Sequence, residues 1–388
     1  QFFTKTGVCA KNLLFTGFIQ QTPEMRFTMK VLTSTIPATA APSQTAALLC
    51  ACFHTAHAAG DFIFFDIETT GLYADNSMCW LIGTLVLQDD SLILTQYFAD
   101  SPSDEKELME QFLGTLSATS CLVHFNGTRF DIPFLQERAA LLECDAQLAA
   151  KLTDCDSIDI FKMIKSYDSL LHLTNYKQKT IESFLNFPRT DKLDGKKLIA
   201  LYKSYVLSKD TDSERLLLLH NSDDLAGLHE ICAVLAYGQL YDTDLKKDSV
   251  DSFKKVFENI SMEFNYASDY EGNEITELIL ETAPVFPFPK ALDCKQPDGY
   301  CKIFPDKLRL CVPVVNDRVK LFYKDYKNYY YLPEQNCAIH KSVAAYVDKS
   351  RRTAATKNTC YTWVEPHTLN TPSALYHFLT AYLWHLLQ

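Results

Sequence analysis

Residues 61–72, which read DFIFFDIETTGL, begin with the apolar run of a buried strand and end in polar and glycine residues. Side chains at positions i and i+2 of a strand point to the same face, so Asp66 and Glu68 leave the strand end side by side. Two neighbouring carboxylates repel each other, and burying them is costly unless a cation binds them. The stretch therefore predicts a site for a hard divalent cation such as Mg²⁺, with a solvated strand end as the alternative.

The segments that follow alternate between strand and helix patterns. Two apolar runs separated by a polar turn predict a hairpin, and further helices and short strands come after it. The expected elements are strands at 79–87 and 92–98, a helix at 103–116, a strand at 121–125, a helix at 130–142 and a strand at 158–160. Residues 160–240 are expected to be mostly helical. This order predicts an α/β fold with three layers, α/β/α, around a mixed central sheet.

Composition excludes two broad classes of protein. The chain has 388 residues, of which 47% are hydrophobic and 22% are charged, as in ordinary globular proteins rather than disordered ones. Its apolar runs fall short of the roughly 20 residues that cross a bilayer, so no membrane partner is expected. The 13 cysteines are scattered and form no CxxC pair, which predicts reduced thiols and a cytoplasmic protein.

Four regions are expected along the chain. Residues 1–60 are interpreted as an N-terminal extension with a linker at 33–47, and Met29 is a plausible start. Residues 61–240 form the α/β domain, and residues 241–290 form a connector. Residues 291–388 are expected to form a smaller, β-rich C-terminal domain that ends in a helix docked on the body. Residues 286–388 carry a net charge of +6, whereas residues 1–285 carry −17, so a polyanion contact is expected in the last region.

A second carboxylate motif follows the strand expected at 121–125. Residues 124–133 read HFNGTRFDIP, in which Asn126-Gly127 is a strong turn signal and Asp131 falls in the first turns of the next helix. Parallel packing of this strand beside the first would bring Asp131 to the same sheet edge as Asp66. A carboxylate that only favours the helix N-terminus is the alternative.

The third motif is HNSDDL at residues 220–225. On a helix, His220 and Asp224 are i and i+4 and share a face, which the apolar period directs inward. A break at Ser222 is the alternative, because serine also caps helices. We favour one continuous helix, since the apolar period runs through the motif.

Together the motifs bring four carboxylates, Asp66, Glu68, Asp131 and Asp224, which balance the charge of two Mg²⁺ or Mn²⁺ ions. Two metal ions about 3.5–4 Å apart are the arrangement that hydrolyses phosphodiesters. His220 suits the role of general base, because an imidazole ordinarily titrates near neutral pH.

The order FDIETTGL, HFNGTRFDIPFL and HNSDDL resembles the DEDD (DnaQ-like) 3′–5′ exonucleases, which have a ribonuclease H-like fold. Within that superfamily residues 61–240 resemble the YprB-type ribonuclease H-like domain. The stretches TIESFL at 180–185, RTD at 189–191 and DGK at 194–196 resemble the same subgroup.

The resemblance implies a metal-dependent exonuclease in which Asp66, Glu68, Asp131 and Asp224 bind two ions and His220 is the base. It also implies contacts with the terminal nucleotide of a single-stranded 3′ end, made by Thr69, Gly71, Leu72, Asn126 and Phe130. The spacing departs from the histidine-type members, which have H-x4-D, since this chain has H-x3-D. Counting four residues leads to Leu225, which binds no metal, so Asp224 is the first candidate and Asp223 the second.

Two questions stay open from the sequence. A catalytically inactive nucleic-acid-binding module with the same fold is the alternative function, and a structural protein with one stabilising metal ion is a third. In the C-terminal region, Lys320, Lys324 and Lys327 alternate with aromatic residues between 322 and 331. This pattern is typical either of a surface for single-stranded nucleic acid or of a strand pair with an aromatic core. The sequence indicates neither DNA nor RNA, and it indicates no protein partner.

Overall fold

The structure is a computed structural model that describes residues 29–38, 41–191, 193, 195–241, 256–268 and 274–387. The expectations for residues 1–28, and the part played by Asp194, lie outside the described residues.

A mixed sheet forms the centre of the first half of the chain. Within the described residues it has six strands, in the order β1-β4-β3-β2-β5-β6. They are β1 (Lys30–Ile36), β2 (Phe62–Thr69), β3 (Cys79–Gln88), β4 (Ser91–Phe98), β5 (Cys121–His124) and β6 (Asp156–Asp159). The first four pair in antiparallel fashion, whereas β2, β5 and β6 run parallel. The mixed sheet expected from the sequence is confirmed.

Helices cover both faces of this sheet. They are α1 (Pro42–Phe53), α2 (Glu105–Thr115), α3 (Asp131–Leu141), α4 (Ala146–Asp154), α5 (Ile160–Ser166), α6 (Asp168–Leu171), α7 (Gln178–Phe184), α8 (Gly195–Ser208) and α9 (Thr211–Ile231). One apolar core contains side chains of α2, α3, α4 and α8, and the other contains those of α1, α5, α6 and α7. Successive side chains of β2 point to opposite faces of the sheet and enter the two cores in turn, so the sheet lies between two helical layers.

The side chains of β2 show this division residue by residue. Phe62 and Phe64 lie in the core shared with α1, and Ile63 and Phe65 lie in the opposite one. By the same alternation Asp66 continues the row of Phe62 and Phe64. The carboxylates of the strand end therefore face the layer that contains the second half of α9.

The second half of the chain is rich in β-structure. Its described residues form a five-stranded antiparallel sheet in the order β7-β8-β11-β10-β9, beside sheets of two and three strands. The strands are β7 (Phe257–Ser268), β8 (Glu274–Pro284), β9 (Leu292–Gln296), β10 (Gly299–Phe304), β11 (Lys307–Pro313), β12 (Val319–Phe322), β13 (Tyr329–Leu332), β14 (Cys337–His340), β15 (Thr353–Ala354) and β16 (Tyr361–Val364). The terminal helix α10 (Pro372–Leu386) buries Phe378, Tyr382 and Leu386 in the core of this region. The expected docking of this helix on the protein's own body is confirmed.

Two expectations about the chain's division are wrong. Residues 33–47 are not a linker, because Lys30–Ile36 pairs with β4 as the edge strand and α1 packs against residues 232–240. Apolar alternation is weak in this edge strand, since none of its seven residues is fully buried. The connector expected at 241–290 contains β7 and β8, which belong to the five-stranded sheet, so this region begins before residue 291. None of the helices among the described residues combines the length and the apolar character that crossing a bilayer requires.

Several lysines and aromatic residues of the C-terminal region have partners within the protein. Lys320 pairs with Asp298 at 2.7 Å and lies 4.3 Å from the ring centre of Tyr361. Tyr323 stacks on Tyr329 with ring centres 4.7 Å apart. These contacts favour the interpretation of an aromatic core for this part of the pattern.

Candidate active site

Asp66 and Glu68 lie at the end of β2, half-buried beneath α9. Burial raises the pKa of both carboxyl groups well above the ordinary value, and the charges of neighbouring carboxylates raise it further. For Glu68 these neighbours include Asp66, Asp224 and Asp131. The strand end therefore concentrates negative charge in a poorly solvated place, where a bound cation would relieve it.

Asp131 is the first residue of α3, which begins after the turn that follows β5. Its side chain is 8% exposed, and burial raises its pKa to about 7. The backbone amide of Ile67 donates to the carboxylate and acts in the opposite direction. This bond joins Asp131 to β2 between Asp66 and Glu68, because β2 and β5 are parallel neighbours.

Helix α9 supplies the third motif and is continuous through it, as expected. Asp210 caps its N-terminus by accepting from the amide of Ser213 at 2.8 Å. His220 is 6% exposed, and its Nε2 lies 3.2 Å from Oδ2 of Asp224 and 3.6 Å from Oε1 of Glu68. The potential ligand atoms of Glu68, His220 and Asp224 all lie within 4.8 Å of one another.

The two aspartates of HNSDDL point in different directions. Asp223 accepts hydrogen bonds from the amides of Thr190 and Asp191 at 2.8 and 2.6 Å. Asp224 faces His220 with Oδ2, while its Oδ1 accepts from the guanidinium of Arg189. The geometry therefore places the first candidate, Asp224, beside Glu68, whereas the second, Asp223, points from α9 toward the loop at residues 190–191.

Arg189 connects Asp224 to a second buried carboxylate. Its Nη1 lies 3.0 Å from both carboxylate oxygens of Glu182, a residue of α7 that is 1% exposed. Gln178 also donates to Glu182, at 2.9 Å, and to the backbone carbonyl of Asp224, at 2.7 Å. Helix α7 thus holds Asp224 in two ways. Gln178 bonds the backbone carbonyl of Asp224 directly, and Glu182 binds the Arg189 that bonds the Asp224 side chain.

The residues expected at the terminal nucleotide lie around the same strand end. Thr69 donates to the carbonyl of Gly71 at 2.7 Å, which closes a tight turn after β2. Leu72 follows with 73% of its surface exposed. Leu72 is therefore an apolar side chain presented to solvent just after the strand that bears Asp66 and Glu68.

Asn126 and Phe130 border the site on the side of β5. Asn126 has a φ of 63°. Its backbone amide donates to Oδ1 of Asp159 at 2.9 Å, and this hydrogen bond fixes the turn. Phe130 is half-buried and packs on Phe134 with ring centres 5.5 Å apart.

Three further residues of the site also carry no role in the sequence interpretation. Asn221 donates to Asp66, Gln96 donates to Asn221 at 3.0 Å, and Asp191 bonds His220 at 2.6 Å. Gln96 had a detectable signal, because it is a polar residue in the apolar alternation of β4. The other two contacts join distant segments, and no local pattern reveals them.

The donor set fits hard divalent cations. Asp66, Glu68, Asp131 and Asp224 offer carboxylate oxygens, the ligands that Mg²⁺ and Mn²⁺ prefer. Burial raises the pKa of the carboxyl groups of the first three, and for Asp66 and Glu68 the charges of neighbouring carboxylates raise it further. The residues present therefore suit metal ions better than they suit an empty, fully ionised cluster.

Residues 63–236 match the family model described as the RNase_H superfamily. A curated relative, the "Uncharacterized protein YprB" of Bacillus subtilis strain 168, is 25% identical over 210 residues. The match covers 52% of this chain and 49% of the relative, so this chain spans about half the length of the curated relative it matches.

Two solved structures are among those similar to part of this chain. The family B DNA polymerase of the archaeon Pyrobaculum calidifontis has 15% identity and a TM-score of 0.36, and the match covers 46% of this chain and 25% of that one. Exonuclease I of E. coli, in complex with a dT13 oligonucleotide, has 10% identity and a TM-score of 0.32, with 57% and 54% covered.

Proposed function

We propose that this chain, in which residues 63–236 form a ribonuclease H superfamily domain, is a metal-dependent nuclease that removes nucleotides from 3′ ends of DNA or RNA. The observation that carries the proposal is the meeting of Glu68, His220 and Asp224 within 4.8 Å, at the strand end that also bears Asp66. These side chains come from two distant segments of the chain. Their meeting at one place offers carboxylate and imidazole atoms to a divalent metal ion, and such ions promote phosphodiester hydrolysis.

Asp66, Glu68, Asp131 and Asp224 are the proposed ligands of two Mg²⁺ or Mn²⁺ ions. The chemistry that such ions supply when bound is stabilisation of negative charge on the phosphoryl group and activation of water. Asn221 and Arg189 hold the Asp66 and Asp224 carboxylates in place, since each donates to one of their oxygens. The chain thus contributes ligands of fixed orientation.

His220 is the proposed general base. Its Nδ1 is engaged by Asp191, and its Nε2 faces Glu68 and Asp224. Nε2 is therefore the atom that takes the proton of the attacking water. Its burial excludes bulk solvent from this transfer.

Thr69, Gly71, Leu72, Asn126 and Phe130 are proposed to hold the terminal nucleotide of a single strand. Leu72 offers an exposed apolar surface to a base or sugar, and Phe130 offers a half-buried ring on the other side of the site. Apolar and aromatic surfaces bind unpaired bases with little sequence preference. A single-stranded 3′ end of either nucleic acid is thus the substrate class expected.

A nucleic-acid-binding module without turnover is the competing function. It requires the fold but neither the complete set of carboxylates nor a buried histidine beside them. The chain retains Asp66, Glu68, Asp131, His220 and Asp224 despite the cost of burying them together. This favours the enzyme.

The experiment is a time course on 5′-labelled single-stranded DNA and RNA with Mg²⁺, Mn²⁺ or EDTA. The variant is Asp66→Asn, and the matched control is Asp90→Asn, which changes an exposed aspartate in the turn between β3 and β4. We expect a ladder that shortens from the 3′ end with metal, for the wild type and for Asp90→Asn only. If the protein binds the labelled oligonucleotide but forms no cleavage product, the result would instead favour the nucleic-acid-binding module.

A further inference from the structure

Residues 341–352, which we call the cationic loop, connect β14 to β15 and lie against Tyr330 of β13. Successive side chains of a strand point to opposite faces of the sheet. Tyr329 and Tyr331 therefore share one face, on which Tyr329 stacks on Tyr323. Tyr330 points to the other face, where the loop meets the three-stranded sheet.

Two cations of the cationic loop lie over the half-buried ring of Tyr330. Cζ of Arg352 is 4.7 Å from the ring centre, and Nζ of Lys341 is 5.5 Å from it, within the range of cation–π contacts. Both groups also donate to backbone carbonyls, Arg352 to that of Ala344 and Lys341 to that of Lys327. These contacts fix the position of the two cations but leave their charge uncompensated.

Tyr346 is presented to solvent from the same loop. Its side chain is 92% exposed, the highest value among the large apolar side chains of the described residues. The backbone around it forms a tight turn, in which the amide of Val347 donates to the carbonyl of Ala344 at 3.1 Å. Ala344 is fully buried and also accepts from Arg352. The exposed ring of Tyr346 is thus carried on a turn that is anchored to the sheet.

Positive charge is in excess around these rings. Residues 319–360 contain eight Lys and Arg but three Asp and Glu. Glu334 pairs with Arg351, and Asp348 accepts from the amide of Ser350 at 2.8 Å. Within the part of the chain that the structure describes, five of the cations form no ion pair with an acidic side chain: Lys327, Lys341, Lys349, Arg352 and Lys357. Their charge is available to an anion from outside the chain.

We propose that the cationic loop is a binding surface for single-stranded nucleic acid, separate from the active site. Tyr346 stacks on a base, while Lys341, Lys349 and Arg352 contact phosphates. Exposed aromatic faces beside cations are the combination that binds single strands. The inference goes beyond the proposed nuclease function, because binding at this surface requires neither a metal ion nor the carboxylates of β2.

An anionic membrane is the other polyanion that such charge attracts. Segments that bind membranes bury a broad apolar face among the lipids. In the cationic loop the exposed ring of Tyr346 stands in a short turn between Lys341 and Lys349 instead. This arrangement favours the single strand, and lipid vesicles are included in the test.

The first measurement is the dissociation constant of the full chain for 5′-fluorescein-labelled dT and rU oligonucleotides, by fluorescence anisotropy in EDTA. Without metal the strand is not cleaved, and the carboxylates of the active site repel phosphates. We expect Tyr346→Ala to weaken binding by about 5- to 100-fold, the usual loss for one stacked base. The exposed position of Tyr346 predicts that this variant unfolds at the wild-type temperature.

The matched control is Tyr266→Ala, which removes a tyrosine that is 77% exposed on β7. This variant should bind the oligonucleotides as the wild type does. An equal loss of affinity in Tyr266→Ala and Tyr346→Ala, or no loss in Tyr346→Ala, would overturn the proposal.

The second measurement is the salt dependence of binding between about 50 and 200 mM. Each phosphate contact contributes about 0.7 to the slope of log K against log salt, so Lys341→Gln with Lys349→Gln should flatten the slope by up to about 1.4. The control of equal charge is Lys106→Gln with Lys151→Gln on α2 and α4, two lysines that also donate to backbone carbonyls. Equal slopes of the two double variants would contradict a local contact with phosphates.

Vesicles that contain phosphatidylserine are the second probe. If Tyr346→Ala abolishes binding of vesicles but not of oligonucleotides, the surface belongs to a membrane and the proposal fails. Cleavage with Mg²⁺ is measured separately. A wild type that cleaves, but whose binding in EDTA is unchanged by Tyr346→Ala, overturns this inference and leaves the nuclease function intact. Binding that depends on Tyr346 without any cleavage supports the surface and removes the nuclease function.

Discussion

Asn221 of α9 donates a hydrogen bond from Nδ2 to Oδ2 of Asp66 across 3.1 Å and thereby joins the helix to the carboxylates of β2. The orientation of the amide is fixed from its other end, since Gln96 donates to Oδ1 of Asn221 at 3.0 Å. Asn221 is fully buried, so neither bond competes with solvent. The position of Asp66 therefore depends on a polar chain that begins on β4.

Gly83 of β3 makes room for this chain. A Cβ atom there would lie 2.0 Å from Oδ1 of Asn221 and 2.7 Å from Cδ1 of Leu225. We expect Gly83→Ala to displace Asn221, to destabilise the protein by about 1–3 kcal/mol through overpacking, and to lower nuclease activity although no carboxylate changes. Urea unfolding and initial rates of cleavage measure the two effects.

The control for this substitution is Gly114→Ala in α2, where nothing lies within 4 Å of the new Cβ. Alanine favours the helix over glycine by roughly 0.5–1 kcal/mol, so this variant should gain stability and keep its activity. Equal behaviour of the two alanine variants would contradict the account of Gly83.

Asp66→Asn should separate stability from activity. The carboxyl group of Asp66 is held beside Asp224 and Asp131, and burial with these charges raises its pKa well above the ordinary value. In EDTA near pH 8 the amide should therefore raise the unfolding temperature. Cleavage should fall by more than about 100-fold, beyond the loss typical of residues that only support a metal ligand.

Thermal unfolding with and without Mg²⁺ completes this test. The ion should stabilise the wild type more than Asp66→Asn, since binding to the folded state alone adds to stability. A lower unfolding temperature of the variant in EDTA would show that the carboxylate stabilises the protein without metal.

The strands and helices of the first domain follow closely from the sequence. The apolar run before Asp66 has the length and composition of a buried strand, and the continuous period across His220 and Asp224 predicts one helix. Periodicity reports which face of an element is buried. The pattern therefore predicts that the carboxylates lie at a common edge of the sheet, and this prediction needs no information about the loops.

The contacts that orient the site are not local, and this is why the sequence does not predict them. Asp191 lies 29 residues before His220, and Gln96 lies 125 residues before Asn221. The sequence does not predict the edge strand β1 for a related reason: its pairing with β4 is long-range, and none of its residues is fully buried, so its apolar pattern is weak. Position along the chain says little about such pairs.

Arg189 should be coupled energetically to Glu182. Arg189→Met leaves the buried Glu182 carboxylate without the guanidinium 3.0 Å away, a loss that costs about 3–5 kcal/mol for buried pairs. The double variant Glu182→Gln with Arg189→Met removes both charges and should recover much of this stability. Urea unfolding of the four proteins gives the coupling energy, and simple additivity would contradict it.

The pH dependence of the free energy of unfolding should reveal the titration of the Asp131 carboxyl group. Burial raises the pKa of this carboxyl group to about 7, whereas an aspartate in the unfolded chain titrates near 3.9. Between these values the folded protein binds the additional proton, so the free energy of unfolding falls as pH rises, by up to about 1.4 kcal/mol per pH unit. Asp131→Asn lacks this titration and also relieves Asp66 and Glu68, whose pKa values the charge of Asp131 raises.

In EDTA, the stability of Asp131→Asn relative to the wild type should therefore increase from about pH 5 to pH 7 and level off above it. Urea unfolding at intervals of one pH unit measures this difference. The exposed control Asp90→Asn should show none of the increase, because its carboxyl group lies outside the cluster. A difference between Asp131→Asn and the wild type that is constant with pH would mean that Asp131 is ionised in the folded protein without metal. The negative charge of the cluster would then be compensated by the protein itself, and its need for a cation would be correspondingly weaker.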